Sequence, residues 1–439
     1  MSRRLRVLFV SKELIAGDLA YQLKNEECEV KLCIENGGDK DCFNGMVEKT
    51  QDWKKELGWV GKDGLIVFDD VGYGTEQDSL RREGYLVIGG SGDGDRLELD
   101  RKYGQKVMRT CGFGMDDDFE TKSFTVKSAI DFIKKRKGRW VLKQDNHDEA
   151  LTCVGEMDDG SDVLEVLENY RVHLGESYRV SLQRKVCGVE IAIGRFFNGN
   201  TWIGPLVFNI EHKHLCNDDI GPLGGETGTL MWYEKNSNKR LFQETLAKLE
   251  PHLRKSSYKG YVDVNCIVSD KDTVYPLEIT SRFGSSTNEM QSEIHISPWS
   301  EFLLAMAKGK DYELQYKKGY GVNVAVTVPP FPYRTSDSSL SQKGVNIFFK
   351  KDMSQEELSH VHFEEVMIEK NRDSEQYRIA GSTGYVLYVT SVEKTIQKAR
   401  EKIYGIIGKI IIPKMFYRTD IGLRFVKNDR KLLKEWNWI

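Results

Sequence analysis

Short apolar runs closed by glycine recur through the first hundred residues, with helix-like spacers between them. Residues 6–10 and 29–34 have strand character, residues 17–24 have helical spacing, and 64–68 and 84–90 are further apolar runs. Such runs, apolar throughout rather than alternating, predict parallel strands joined by crossover helices. Ser91-Gly92-Asp93-Gly94-Asp95 punctuates the chain, and the first domain boundary is expected just after it. From 97 to about 316 the pattern is mixed. Helices are expected at 100–111, ended by Gly112, and at 127–136, the second leading into a strand at 139–143. A hairpin is expected from strands 178–186 and 189–197 around Cys187-Gly188, and Asn198-Gly199-Asn200 is a turn before a strand at 202–210. An amphipathic helix at 240–256 precedes two strands around Asp263 and Glu278. The last part offers strands at 322–328 and 385–390, a helix at 392–409 and a short polar tail. No internal repeat or low-complexity tract appears.

Composition narrows the function classes. The 439 residues carry 64 Lys+Arg against 67 Asp+Glu, a net charge of −3, which removes the overall basic signature of nucleic-acid or membrane-surface binding. At about 150 residues per domain, the length suits two to four domains. Hydrophobic residues at 39% are too many for a disordered chain. The longest apolar run, 406–412, is broken by Lys409 and falls far short of the ~20 residues of a membrane span. The basic and apolar start imitates a signal peptide, but Lys12 and Glu13 interrupt it, so a first buried strand is the better reading. Eight cysteines without a CxxC pair are expected to be reduced. A cytoplasmic protein is expected.

Three stretches could carry chemistry. In 260–265, Asp263 and Asn265 alternate with valines, and in 274–282 Glu278, Thr280 and Arg282 share one face. Two carboxylates from adjacent strands suit Mg²⁺, and the arginine suits a carboxylate or phosphate; a solvent-facing polar hairpin gives the same pattern. Glu211-His212-Lys213-His214 precedes a glycine-rich stretch, 221–229, able to bring backbone N–H groups to an anion or simply to form a surface loop. It matches neither a phosphate loop nor a dinucleotide fingerprint, and no third ligand accompanies His212 and His214 for zinc. Lys143, ending a strand, could reach nucleotide phosphates or snorkel to solvent.

Taken together, from about Leu97 to Gly422, these stretches resemble the ATP-grasp ligases, and within them the glycinamide ribonucleotide synthetases. Leu97-Glu98-Leu99-Asp100-Arg101-Lys102-Tyr103 is similar to the family's entry motif, with Arg101 at a nucleotide-binding lysine, and Lys143 falls on the lysine that reaches ATP phosphate. Gln183 and Arg184 occupy the hinge beside adenine and ribose, and Gly188-Val189-Glu190 the turn after it. His212-Lys213 matches a pair before the substrate loop that Gly225, Thr227 and Gly228 would form. Residues 276–284 are similar to the signature ending in arginine–phenylalanine–glycine, and Tyr417-Arg418-Thr419-Asp420-Ile421-Gly422 to a C-terminal family motif.

The resemblance implies an α/β and α+β multidomain chain: a Rossmann-like N-terminal domain (1–96), an ATP-grasp unit of two subdomains (97–316) and a β-rich C-terminal lobe with a helix (317–439). It implies a cytoplasmic, ADP-forming ligase, monomeric or homodimeric, that uses ATP and Mg²⁺, or Mn²⁺, to join a carboxylate to an amine through an acyl phosphate. Glycine and a phosphoribosylamine of purine biosynthesis are the first candidates. Asp263, Glu278 and Thr280 would hold metal, and Arg101, Lys143, Gln183, Arg184 and Glu190 the nucleotide. Arg282, Lys213 and His212 would be catalytic, Arg282 also holding substrate. Two departures leave alternatives: Ser11 to Asp18 keeps none of the family's arginine–glutamate–histidine loop, and the flap at 144–149 has no glycine. A ligase with another amine acceptor, or a nucleotide binder that has lost catalysis, fits them as well.

Overall fold

Chain entry is a parallel sheet in the order Glu48–Thr50, Glu29–Ile34, Arg6–Ser11, Leu65–Phe68, Leu86–Ile88. Val7 to Ser11 and Leu65–Phe68 are buried throughout, which explains why they read as unbroken apolar runs. The computed structural model describes residues 4–113, 121–144, 152–270, 273–333, 338–371 and 374–439. The altered flap, apart from Gln144, lies outside the described residues.

The acidic-glycine stretch is helical. Ser91 caps a helix, Gly92–Leu99, its hydroxyl accepting the Gly94 N–H at 3.0 Å. Asp100 then caps the next, Arg101–Thr110, accepting from the Tyr103 N–H at 3.0 Å. Two good N-caps outweigh glycines that composition alone marks as a break.

Two further sheets build the centre. Lys122–Thr125, Arg179–Arg184, Trp140–Gln144 and Cys153–Val154 form a small sheet with its own apolar core beneath the helices Val126–Lys135 and Ser161–His173. An eight-stranded antiparallel sheet runs in the order Val274–Thr280, Lys259–Val268, Val189–Asn198, Trp202–Cys216, Ile220–Glu234, Tyr320–Thr327, Tyr385–Glu393, Val361–Phe363. The expected hairpin of 178–186 and 189–197 is therefore not formed, because its strands belong to different sheets. Gly188 enters the larger sheet so tightly that a Cβ there would lie 2.3 Å from the Val268 carbonyl oxygen. The Asn198-Gly199-Asn200 turn is formed, Asn198 Oδ1 accepting the N–H groups of Asn200 and Thr201 at 3.1 and 2.9 Å.

The glycine-rich stretch is strand rather than loop, since Ile220–Glu234 pairs with Trp202–Cys216 and Tyr320–Thr327. Tyr320–Thr327 and Tyr385–Glu393 continue the central sheet, so one apolar core spans the N-terminal and C-terminal parts. A smaller sheet of Val366–Asn371, Ser374–Ile379, Asn346–Phe349 and Ile410–Ile411 completes the C-terminal part. The helix expected at 240–256 breaks at Thr245 (φ −127°, ψ −96°), whose hydroxyl bonds to the Leu241 carbonyl. The late helix is Ile396–Ile407, after a strand that runs on to Glu393. The end of the chain is not a polar tail: it contains the helix Arg430–Glu435 and a buried Trp438, whose indole N–H donates to Ser269 O at 3.0 Å. Among the described residues no helix is long and apolar enough to cross a membrane.

Candidate active site

Strand alternation fixes which side chains meet. Asp263 lies opposite Thr280 and Asn265 opposite Glu278 in one ladder, and Ala192 lies opposite both Asn265 and Asn209 in the next two. Stepping two residues along each strand brings Glu190, Glu211 and Lys213 onto that same face. His212, between Glu211 and Lys213, is on the other.

The face is an ion-pair cage. Lys213 Nζ stands 3.2 Å from Glu211, 3.5 Å from Glu278 and 3.6 Å from Glu190. Asn265 Nδ2 donates to Glu190 and Glu211 at 2.9 and 3.2 Å. Lys213 holds the Glu278 carboxyl below its usual range, helped by Lys143, Arg101 and Arg282. Four of the cations singled out in the sequence thus act on one carboxylate, although Arg101 and Lys143 come from a helix and a sheet remote in sequence. Burial, with Glu211, Glu278 and Glu98 nearby, pushes the Asp263 carboxyl well up, and Arg282 only partly opposes this. Burial likewise raises Glu211, against Lys213. An anionic cluster of this kind suits a hard cation. Two buried oxygens without a hydrogen-bond partner, Asn265 Oδ1 and Glu226 Oε1, fit one too.

Arg282 is anchored at the edge of the cage. Its Nε donates to Glu98 at 2.9 Å and lies 3.6 Å from Asp70, and its Nη1 donates to the Phe283 carbonyl at 2.9 Å. Glu98 also accepts the Ser281 N–H at 2.8 Å, tying the Gly92–Leu99 helix to the end of strand Val274–Thr280.

The other candidates are placed as follows. Gln183 is buried in the small sheet opposite Val141, and Arg184 opposite Trp140. The Arg184 guanidinium lies over the Trp140 ring at 5.2 Å and donates to the Lys137 carbonyl at 3.1 Å. His212 is buried and its Nε2 accepts the Gly422 N–H at 3.1 Å. Because Nε2 accepts, the proton of the neutral ring sits on Nδ1, facing Asp219 Oδ1 at 3.8 Å. Thr227 donates to the carbonyls of His212 and His214 at 2.6 and 3.2 Å. Gly228 packs against Ile421, where a Cβ would lie 2.7 Å from that side chain. Gly225, at φ +75°, sits beside the Tyr385 hydroxyl, which donates to the Gly224 carbonyl at 2.7 Å.

Not every member of the site carries a role that the sequence assigns. Glu211 and Asn265 were legible, each two residues from a chosen partner on the same strand face. Glu98 and Asp70 carry no local signal, since only the tertiary fold brings them to Arg282.

The altered N-terminal loop is tied down by carboxylates. Ser11 Oγ donates to Asp69 at 2.8 Å and accepts the Leu14 N–H at 2.7 Å, and the Ala16 N–H donates to Asp69 at 2.9 Å. Burial and neighbouring Asp70 push Asp69 up to about 7. Fully buried Asp18 accepts from His362 Nδ1 at 2.7 Å and from the Phe363 N–H at 3.1 Å. Burial alone would depress His362, but Asp18 and Glu293 outweigh it and raise the imidazole to about 10.

Known proteins show the same plan. A family model described as "Phosphoribosylglycinamide synthetase, C domain" matches residues 340–424. The phosphoribosylamine–glycine ligase of Helicobacter pylori J99 is 24% identical over 437 residues, covering 95% of this chain and 96% of that protein. That of Corynebacterium ammoniagenes is 23% identical over 86% of this chain and 84% of its own length. Among solved structures, phosphoribosylamine–glycine ligase from Thermotoga maritima superposes with TM-score 0.69 at 20% identity, covering 95% of this chain and all (100%) of the other. Biotin carboxylase from Campylobacter jejuni, in complex with a β-γ-ATP ligand, gives 0.59 at 13% identity, with 97% and 96% coverage. The chain has the fold of the phosphoribosylamine–glycine ligase from Thermotoga maritima and resembles the curated phosphoribosylamine–glycine ligases over nearly all of its length.

Proposed function

We propose that this protein is an ATP-dependent, ADP-forming carboxylate–amine ligase of the phosphoribosylamine–glycine ligase type, acting on small molecules in cytoplasmic purine biosynthesis. The observation that carries the reading is the cage in which Lys213 pairs with Glu190, Glu211 and Glu278, with Asp263 on the adjacent strand of the same face. Asp263 and Glu278, with Asn265 Oδ1 and with Thr280 across from Asp263, would hold Mg²⁺, and Mn²⁺ as a substitute. When bound, such an ion neutralises charge between nucleotide phosphates.

The chain's own residues do the rest. Lys213, Lys143 and Arg101 bind the phosphates and stabilise the charge that develops as the γ-phosphoryl group moves. Gln183 lines the nucleotide side, and Glu190 holds Lys213. Arg282, kept charged and fixed by Glu98 and Asp70, orients the substrate carboxylate. A carboxylate oxygen attacks the γ-phosphorus and ADP leaves. The amine then attacks the acyl phosphate carbonyl, loses a proton, and phosphate departs with that oxygen.

ADP release from purified protein, assayed across amino acids with and without phosphoribosylamine, tests this. Release dependent on both glycine and phosphoribosylamine supports the reading, and no release with any pair refutes it. Release with glycine and other amines only would support a second reading, a changed acceptor. That reading is favoured by the N-terminal loop, where Asp18 and Asp69 are engaged and the family's arginine–glutamate–histidine sequence is missing.

A further inference from the structure

Lys213 is held by three carboxylates from three strands, but the ladder that pairs its strand with Ile220–Glu234 is irregular there. The pairing of Trp202–Cys216 with Ile220–Glu234 shifts register between His212 and His214, and again between His214 and Cys216. The extra residues lie on the partner strand, where Leu223 to Gly228 spans only His214 to His212, so the backbone at Lys213 has no regular ladder to hold it and other registers lie close in energy. Something must select this one.

Four hydrogen bonds from three residues converge on His212 and His214, on either side of Lys213. The Thr227 hydroxyl donates to the carbonyls on both sides of Lys213, those of His212 and His214. Arg418 Nη1 donates to the same His214 carbonyl at 2.9 Å. The Gly422 N–H, more than two hundred residues away in sequence, donates to His212 Nε2.

Arg418 is itself fixed. Only 1% of its side chain is exposed, and it donates to Asp219 at 2.9 Å and to both oxygens of Asp420 at 2.9 and 2.8 Å. Asn217 and Thr419 exchange two hydrogen bonds, at 2.7 and 2.9 Å, and the Asp218 N–H donates to Asp420 at 2.8 Å. Arg424 adds a second contact to Asp219 at 2.6 Å. The segment 417–422 thus grips the tip of the strand pair, and Gly228 lets Ile421 approach closely.

We propose that Thr227, His212 and Arg418 are positioning residues for Lys213: they lock the backbone on either side of it, which aims its ammonium into the nucleotide cage. The C-terminal segment thereby acts on nucleotide binding without touching nucleotide. A lysine on slack backbone would trade the cage for solvent, and a buried, satisfied arginine fork is a stiff latch against it. The inference rests on the reading of the cage as a nucleotide site.

The test measures affinity for the non-hydrolysable analogue AMP-PNP with Mg²⁺ by titration calorimetry, together with the melting temperature. Lys213→Met should weaken binding by about 10-fold or more, the scale of one charge-assisted hydrogen bond. Thr227→Val, which keeps shape and removes the hydroxyl, should approach that loss, and Thr227→Ser should stay within about 2-fold of wild type. In Lys213→Met/Thr227→Val the two losses should not multiply, because one acts through the other. Arg418→Lys should weaken binding less than Thr227→Val, and, should it unfold, the Thr227 series decides alone. Wild-type affinity in a folded Thr227→Val, or losses that multiply, overturns the inference. If Lys213→Met itself binds like wild type, the nucleotide-site reading fails instead.

Discussion

Replacing His362 by Gln should expose how the N-terminal loop is held against the C-terminal part. His362 joins Asp18 across 344 positions of sequence, and both side chains are almost completely buried. Removing one member of a buried pair leaves the other charge uncompensated, which costs about 3–5 kcal/mol. The shift of His362 to about 10, against an ordinary value near 6.5, sets a ceiling of about 5 kcal/mol on the same interaction. Unfolding entropy of ~2.1 cal/mol/K per residue gives about 0.9 kcal/mol/K for this chain, so the melting temperature should fall by about 3–5 °C if the chain melts as one unit. The loss has a definite pH dependence. A pKa raised on folding contributes stability that is full below the unfolded value and disappears as pH rises through the folded one. The wild-type advantage over His362→Gln should therefore be largest near pH 6 and shrink steadily toward pH 10. Scanning calorimetry on both proteins at pH 6, 7.5 and 9 checks this. Equal melting temperatures at pH 6, or a difference that does not change with pH, would refute the reasoning.

Three further outcomes follow from the same geometry. Glu278→Gln should reduce ADP formation at least about 100-fold while changing the melting temperature by less than about 2 °C, since the side chain is half exposed (53%); comparable activity would remove it from the metal site. Asp263→Asn should also abolish ADP formation but raise the melting temperature by about 1 °C, because burial and neighbouring carboxylates oppose its ionisation; a large fall in melting temperature would contradict that assignment. Trp438→Ala should cost about 3–5 kcal/mol in a denaturant titration, the penalty for emptying a fully buried aromatic site, and an unchanged midpoint would mean the end of the chain is not part of the core.

Much of this was legible from residue order alone, for reasons that differ by element. The N-terminal strands announced themselves because both faces are buried, so every residue in Val7 to Ser11 had to be apolar or small. Asp263 and Glu278 were legible as a pair because period-two alternation puts them on one face of adjacent strands. Alternation does not say which strands pair, and so Arg179–Arg184 and Val189–Asn198 looked like a hairpin although they belong to different sheets. Glycine content misled twice, at Gly92 and along Gly221 to Gly228, where an N-cap and a long ladder override propensity. The family motif drew attention to His212 and Lys213 together. Only the strand geometry separates them, sending Lys213 into the cage and His212 to Gly422.

The central claim is that a carboxylate is activated by phosphoryl transfer in the Glu278 cage. Glycine labelled with ¹⁸O in its carboxylate, incubated with ATP, Mg²⁺ and phosphoribosylamine, tests it most directly when the released phosphate is analysed by mass spectrometry. An acyl phosphate route delivers one ¹⁸O atom to phosphate for every amide bond formed. Phosphate released without ¹⁸O would show that ATP is hydrolysed by water and would contradict the account.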